Sequence, residues 1–147
     1  MRRAASGIIA LLSSGACDRA REPALPAHHW VAVHDDARYH VSLDTAHVRR
    51  DGGGVYLVWF ETRHAAIARD GGHPFDREVI RDFIRCDPLA FKNVGAMLSL
   101  GDGPVVVWQG GDVRRASATQ WKPTTPGSVD ESAFSEACRL LGEIARR

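Results

Sequence analysis

Two cysteines about 50 residues apart, Cys86 and Cys138, constrain this 147-residue chain more than any other feature. The chain has three cysteines, and the third, Cys17, stands at the edge of an export-type leader. Met1-Arg2-Arg3 is a positive start, Ala4 to Ala16 is uncharged and apolar or small, and charge returns at Asp18. This layout reads as a secretory signal peptide over residues 1–16, too short for an ordinary transmembrane helix. A first amphipathic helix of the domain is the weaker reading, because Ala4 to Ala16 has no polar face. With Cys17 spent at the leader, an even pair remains, and such pairs join in oxidising compartments. Closing a loop of this length is worth roughly 4 kcal/mol in chain entropy. Two buried free thiols are the alternative. Without a Cys-x-x-Cys, no redox role is expected. The cysteines also lack His at ligand spacing, so no zinc site is expected.

The cut has two readings. Ser14-Gly15-Ala16 suits ordinary signal cleavage. Small residues before Cys17 also resemble a bacterial lipobox, in which Cys17 is acylated and becomes the mature N-terminus. Ser14 departs from that pattern, which has an aliphatic residue three places before the cysteine. Under the lipid reading, acylated Cys17 is the only membrane attachment, and Asp18 after it favours the inner membrane in some bacteria. Residues 17–28, charged and containing proline, read as a tether, and 29–147 as one domain. Of 19 basic residues two lie in the leader, so the mature chain is close to neutral against 18 acidic residues. Neither a nucleic-acid footprint nor a polybasic membrane patch is expected.

The domain begins with period-two patterning. Trp30 to Val33 is a short strand, and Tyr39, Val41 and Leu43 alternate with His40, Ser42 and Asp44. Asp51 to Gly54 reads as a turn, and Val55 to Phe60, apolar on both faces, as a central strand. Asp70 to Pro74 reads as a second loop. The strand from Phe75 to Cys86 carries Ile80, Ile84 and Cys86 on one side and Val79 and Phe83 on the other. From Leu89 to Leu100, Val94, Ala96, Leu98 and Leu100 share a side, and Gly101 to Pro104 turns the chain into Val105 to Trp108. Gly-rich turns between alternating runs predict an antiparallel meander. The period then changes. Ser128-x-x-Glu131 predicts a capping box, with Glu131 reaching back to the Ser128 amide. Phe134, Cys138, Leu141 and Ala145 follow at helical spacing. Cys138 thus lies on the apolar stripe of a C-terminal helix, where a bond to Cys86 would staple helix to sheet.

Three segments resemble the surface-adhesin protein E family of bacterial exported proteins. These are the strand ending in Cys86-Asp87 and running into the next, the Trp121…Pro126-Gly127-Ser128 segment, and the helix bearing Cys138. Trp30, the strand ending near Asp44, and Val58-Trp59 fit as well. The resemblance spans about residues 29–141, with Lys122 to Thr125 as an insert. It implies an α+β fold: an antiparallel sheet of about six strands, with the C-terminal helix disulfide-linked across its concave face. It also implies a non-enzymatic envelope protein, at the outer membrane or cell surface, that binds a protein ligand such as a host matrix protein or plasminogen and is of a kind able to form a homodimer. A periplasmic lipoprotein with an accessory envelope role is the alternative, motivated by Asp18 and the imperfect lipobox.

Candidate chemistry is sparse. His28-His29 on a strand would point apart, so no metal is assigned. His34-Asp35-Asp36 reads as a solvated turn and His40 as a surface residue. Arg63, His64, Arg69, Asp70 and His73 surround what reads as a long loop, the best candidate for a binding surface. An enzyme would need His64, Asp70 and His73 gathered in a deep pocket. No Gly-x-Ser-x-Gly, P-loop or His-Glu-x-x-His motif occurs, and no cofactor is expected. Trp59 and Trp108 are expected in strands as core or hinge residues, with Trp121 closing the end of the sheet.

Overall fold

A computed structural model describes residues 27–146; the leader, Cys17 and most of the tether lie outside the described residues. Among the described residues eight strands form one sheet. They are β1 (Trp30–Asp35), β2 (Tyr39–Asp44), β3 (Arg49–Arg50), β4 (Val55–Asp70), β5 (His73–Cys86), β6 (Leu89–Ser99), β7 (Val105–Gly110) and β8 (Lys122–Pro123). Six of them make an antiparallel path, β1-β2-β4-β5-β6-β7, while β3 pairs with β4 and β8 with β6. The helices are α1 (Val113–Ser117) and α2 (Val129–Ile144). The α+β reading, the meander and the six-strand path are as the sequence patterning and the resemblance led one to expect.

Alternation divides the sheet into two faces. Val33, Val41, Leu43, Tyr56, Val58, Phe60 and Ile84 form one buried cluster with Ala133, Phe134, Ala137 and Leu141 of α2. Phe134 sits between Phe60 and Phe91, at centroid distances of 5.1 and 5.3 Å. Burying a Phe or Leu here contributes about 1.5–3 kcal/mol each. On the opposite face Leu57, Phe83 and Val94 pack under Ala116 of α1, with Val113 and Trp121 alongside. Arg85 and Lys92 lie over the Trp121 ring at 4.8 and 4.7 Å. Cys86 at the end of β5 and Cys138 in α2 are bonded, with Cα atoms 5.7 Å apart. The bond points to a non-cytoplasmic setting. Among the described residues no helix is long and apolar enough to cross a membrane.

Several local expectations change. Residues 61–70 belong to β4, which runs sixteen residues instead of ending at Phe60. The turn to β5 is only Gly71-Gly72, with φ of +52° and +86°. Two positive φ values suit a tight antiparallel hairpin, and only glycine adopts them without strain. The expected long loop is therefore a hairpin tip, preceded by a bulge between Arg63 and Ala68. In β6 a register shift between its Asn93 and Gly95 pairings breaks the single-sided pattern. Val94 joins the Leu57 cluster on the α1 face, whereas Ala96 pairs with Ile80 of β5. Trp108 is not a core residue but 57% exposed on β7, which among the described residues pairs only with β6 and ends the strand path. The α2 cap differs by one residue. Ser128 Oγ accepts from the Glu131 amide at 3.1 Å, but the Glu131 carboxylate accepts from Gly127 N at 2.7 Å. The Ser128 amide is already donating to Thr125 O, which leaves the Gly127 amide to be capped.

Candidate functional site

The disulfide pins the middle of α2 to one end of the sheet face. Toward its N-terminus, α2 and the other end of that face enclose a cavity of about 490 Å³. Its position follows from strand parity. Thr62 and His64 continue the Val58–Phe60 row of β4, and Glu78, Ile80 and Asp82 continue the Ile84 row of β5. Tyr39 of β2 pairs with His64, and Asn93 of β6 with Asp82. Val129, Asp130, Ala133 and Phe134 of α2 form the roof.

The cleft combines aromatic walls with acidic groups. Tyr39, Phe60, Phe91 and Phe134 line it, and so do Glu78, Asp82 and Asp130, with no Lys or Arg among the lining residues. Asp82 is 3% exposed, and Asn93 Nδ2 donates to its Oδ1 at 2.9 Å. Its second carboxyl oxygen has no hydrogen-bond partner among the described residues. Burial is the main cause that pushes Asp82 up to about 7; the Asn93 bond opposes this, and Asp130 adds repulsion. Burial likewise raises Glu78, against the pull of His64. His64 Nε2 lies 3.2 Å from Glu78 Oε1, an ion-pair distance without the alignment of a hydrogen bond. The His64 ring stands edge-on to Tyr39 and Phe75, at 5.3 Å from each. An aromatic-walled pocket of anionic character is suited to a cation, through charge and through the ring faces.

The five residues expected around a binding loop are not gathered into one site. His64 faces the cleft. Arg63, next to it, projects from the opposite face, pairing with Glu61 at 3.0 Å and Asp102 at 3.1 Å. Arg77 closes on the same Glu61 at 2.6 Å. Arg69, Asp70 and His73 are at the hairpin tip, where Arg69 donates to Gly72 O and Asp70 accepts from Gln109. The His64–Asp70–His73 trio that catalysis would need is thus split between cleft and tip. His34 contacts Asp36 and Ser132 of α2, each at 3.0 Å, and is part of the sheet–helix contact. His40 remains partly exposed beside Asp35. Tyr39, Thr62, Glu78, Asp82 and Asn93 were not anticipated. Their available signal was a polar pair, Glu78 and Asp82, at the same parity as Ile80 and Ile84 on a buried face.

No protein-family model matches the chain, and no curated protein or solved structure matches it.

Proposed function

We propose that this is an exported, non-enzymatic binding domain of the surface-adhesin E type, whose cleft receives a basic side chain of a protein ligand. The observation that carries the reading is buried Asp82, given one side-chain hydrogen bond by Asn93, in the lining of an aromatic-walled cavity that contains no Lys or Arg. An ammonium or guanidinium entering there would compensate Asp82, pair with Glu78 and stack on rings, so the ligand supplies the charge that the cleft lacks. The leader, the disulfide and the resemblance around Cys86-Asp87 and Cys138 support an envelope location and a protein ligand, of the host-matrix or plasminogen kind. The uncovered edge of β7 is where a second copy would pair.

The test is saturable binding of the oxidised mature chain to laminin, vitronectin and plasminogen. Asp82→Asn and Glu78→Gln are measured beside it. The expected result is binding to at least one of them that weakens at least tenfold in the double variant. No saturable binding to any would sink the host-adhesion reading. Binding untouched by the double variant would move the site off the cleft. Protease protection of the protein on intact cells would favour the periplasmic alternative.

A further inference from the structure

A second cluster lies on the face away from α2, where the edge of the sheet is interrupted. β2 ends at Asp44 and β3 resumes at Arg49, both along β4. The break is shaped by Asp44, whose Oδ1 accepts from the His29 and Ala46 amides, each at 2.9 Å. Those two bonds fix the carboxylate plane and leave Oδ2 free to turn outward. There it meets two imidazoles: His28 Nδ1 at 2.6 Å and His47 Nδ1 at 2.5 Å. His28 comes from the segment that enters the domain, and His47 from the break itself. The carboxylate is inaccessible to solvent, His47 is largely covered, and His28 forms the outer lid. The His28 ring is held by stacking on Trp30, with centroids 4.9 Å apart and planes 19° apart.

We infer that His28, Asp44 and His47 form a divalent transition-metal site, of zinc type, that clamps the incoming N-terminal segment to the sheet. Two imidazole nitrogens and one carboxylate oxygen, each offering one ligand atom, lie within 4.8 Å of one another. Nitrogen-rich sets of this kind select zinc and its neighbours over magnesium or calcium, which take oxygen ligands. Around an ion with bonds of about 2.1 Å in tetrahedral array, ligand atoms stand about 3.4 Å apart. Each nitrogen must therefore retreat from Oδ2 by about 1 Å. His28, which packs its ring against Trp30, His47 and Trp59 and hydrogen-bonds Asp44, is the outer and more exposed of the two and can do so by tilting. The carboxylate is already oriented by two amides, as a ligand of a preorganised site should be. The His47 Nε2 is buried without a hydrogen-bond partner among the described residues. With Nδ1 on the metal, that nitrogen carries a proton with no acceptor among the described residues, which places affinity below that of sites with a complete outer shell.

The test uses the untagged mature chain, titrated with Co²⁺ and with Zn²⁺. The expected result is saturable binding of one ion per chain, with visible Co²⁺ bands of a low-coordinate nitrogen–oxygen site, and a thermal midpoint raised by Zn²⁺ but not by Mg²⁺. His28→Ala keeps the fold, checked by circular dichroism, and lowers affinity at least tenfold. His29→Ala leaves binding unchanged, since His29 Nδ1 is engaged with Thr45 Oγ1 at 2.7 Å outside the cluster. Absence of one-to-one binding, or His28→Ala binding as well as the parent, overturns the proposal and leaves a purely hydrogen-bonded clamp.

Discussion

The two halves of the sheet–helix interface are built on opposite principles. At the stapled half, Tyr56, Val58 and Ile84 meet Ala137 and Leu141 beside the Cys86–Cys138 bond, in a cluster of buried apolar side chains. At the open half the same strand rows continue as Thr62, His64, Glu78 and Asp82 beneath Val129 and Asp130, around a cavity of about 490 Å³. A sheet face that binds nothing would be expected to stay apolar along its length. Here one half holds the helix strongly enough that the other can carry a buried, half-compensated carboxylate. The stability of one region permits the strain of the other, a pattern expected at functional sites.

Breaking the staple has the largest expected effect. Replacing Cys86 and Cys138 together with Ala removes a crosslink spanning 52 residues, and chain entropy puts the loss at about 4 kcal/mol. Urea unfolding of the oxidised parent and the double variant measures it. A loss below about 1 kcal/mol would mean that apolar packing alone holds the helix, and that the two halves differ less than their compositions suggest.

The open half has the opposite sign of pH dependence from a usual carboxylate. Burial raises Asp82 from 3.8 to about 7 in the folded chain. Between those values the folded state holds a proton that the unfolded state has released. Its contribution to stability is therefore full below about 4, declines as pH rises, and is gone above about 7. The span is worth at most about 4 kcal/mol. Glu78, also raised by burial, acts in the same direction. Asp82→Asn keeps an acceptor for Asn93 Nδ2 and removes the ionisation. The variant should be more stable than the parent at pH 8, with the gap closing by pH 5, as read by thermal unfolding across that range. An equal or lower midpoint at pH 8 would mean that Asp82 is compensated in a way its single hydrogen bond does not account for. A cationic ligand reverses the preference, since it needs ionised Asp82, so binding should strengthen from pH 5 to pH 8.

This division was only half legible in the sequence. The stapled half was accessible because its signals are local and periodic. Three cysteines with one at an expected leader leave one pair, and Phe134, Cys138 and Leu141 mark a stripe at helical spacing. The open half was hidden because its residues come from five elements and meet only through register. His64 looked like a loop residue, since Glu61 to Arg69 lacks alternation where the bulge between Arg63 and Ala68 interrupts the pleat. Glu78 and Asp82 carried no signal of their own, because nothing local distinguishes a buried carboxylate from a solvated one. The five-residue α1 is too short for any period to appear. His28 and His47 converge on Asp44 only because the break after β2 faces the incoming chain, a tertiary fact.

The cap of α2 sharpens the comparison on a smaller scale, because Ser128 stands at the rim of the cleft. Ser128→Ala removes the acceptor for the Glu131 amide and should cost about 1 kcal/mol. Amide exchange should then speed up in the first turn of α2 and stay unchanged around Cys138. Uniform loss of protection along the helix would mean that the two halves unfold as one unit. The smallest effect belongs to the exposed side of the same helix. Arg139 pairs with Glu136 and Glu143 there, and these contacts raise its pKa and lower that of Glu136. All three groups are in water, where such pairs gain little and lose side-chain freedom. Arg139→Ala should leave the urea midpoint where it was, in low salt and in high. A clear drop would assign holding strength to the outer face of α2, and the staple and the apolar row could no longer account for how the helix stays on the sheet.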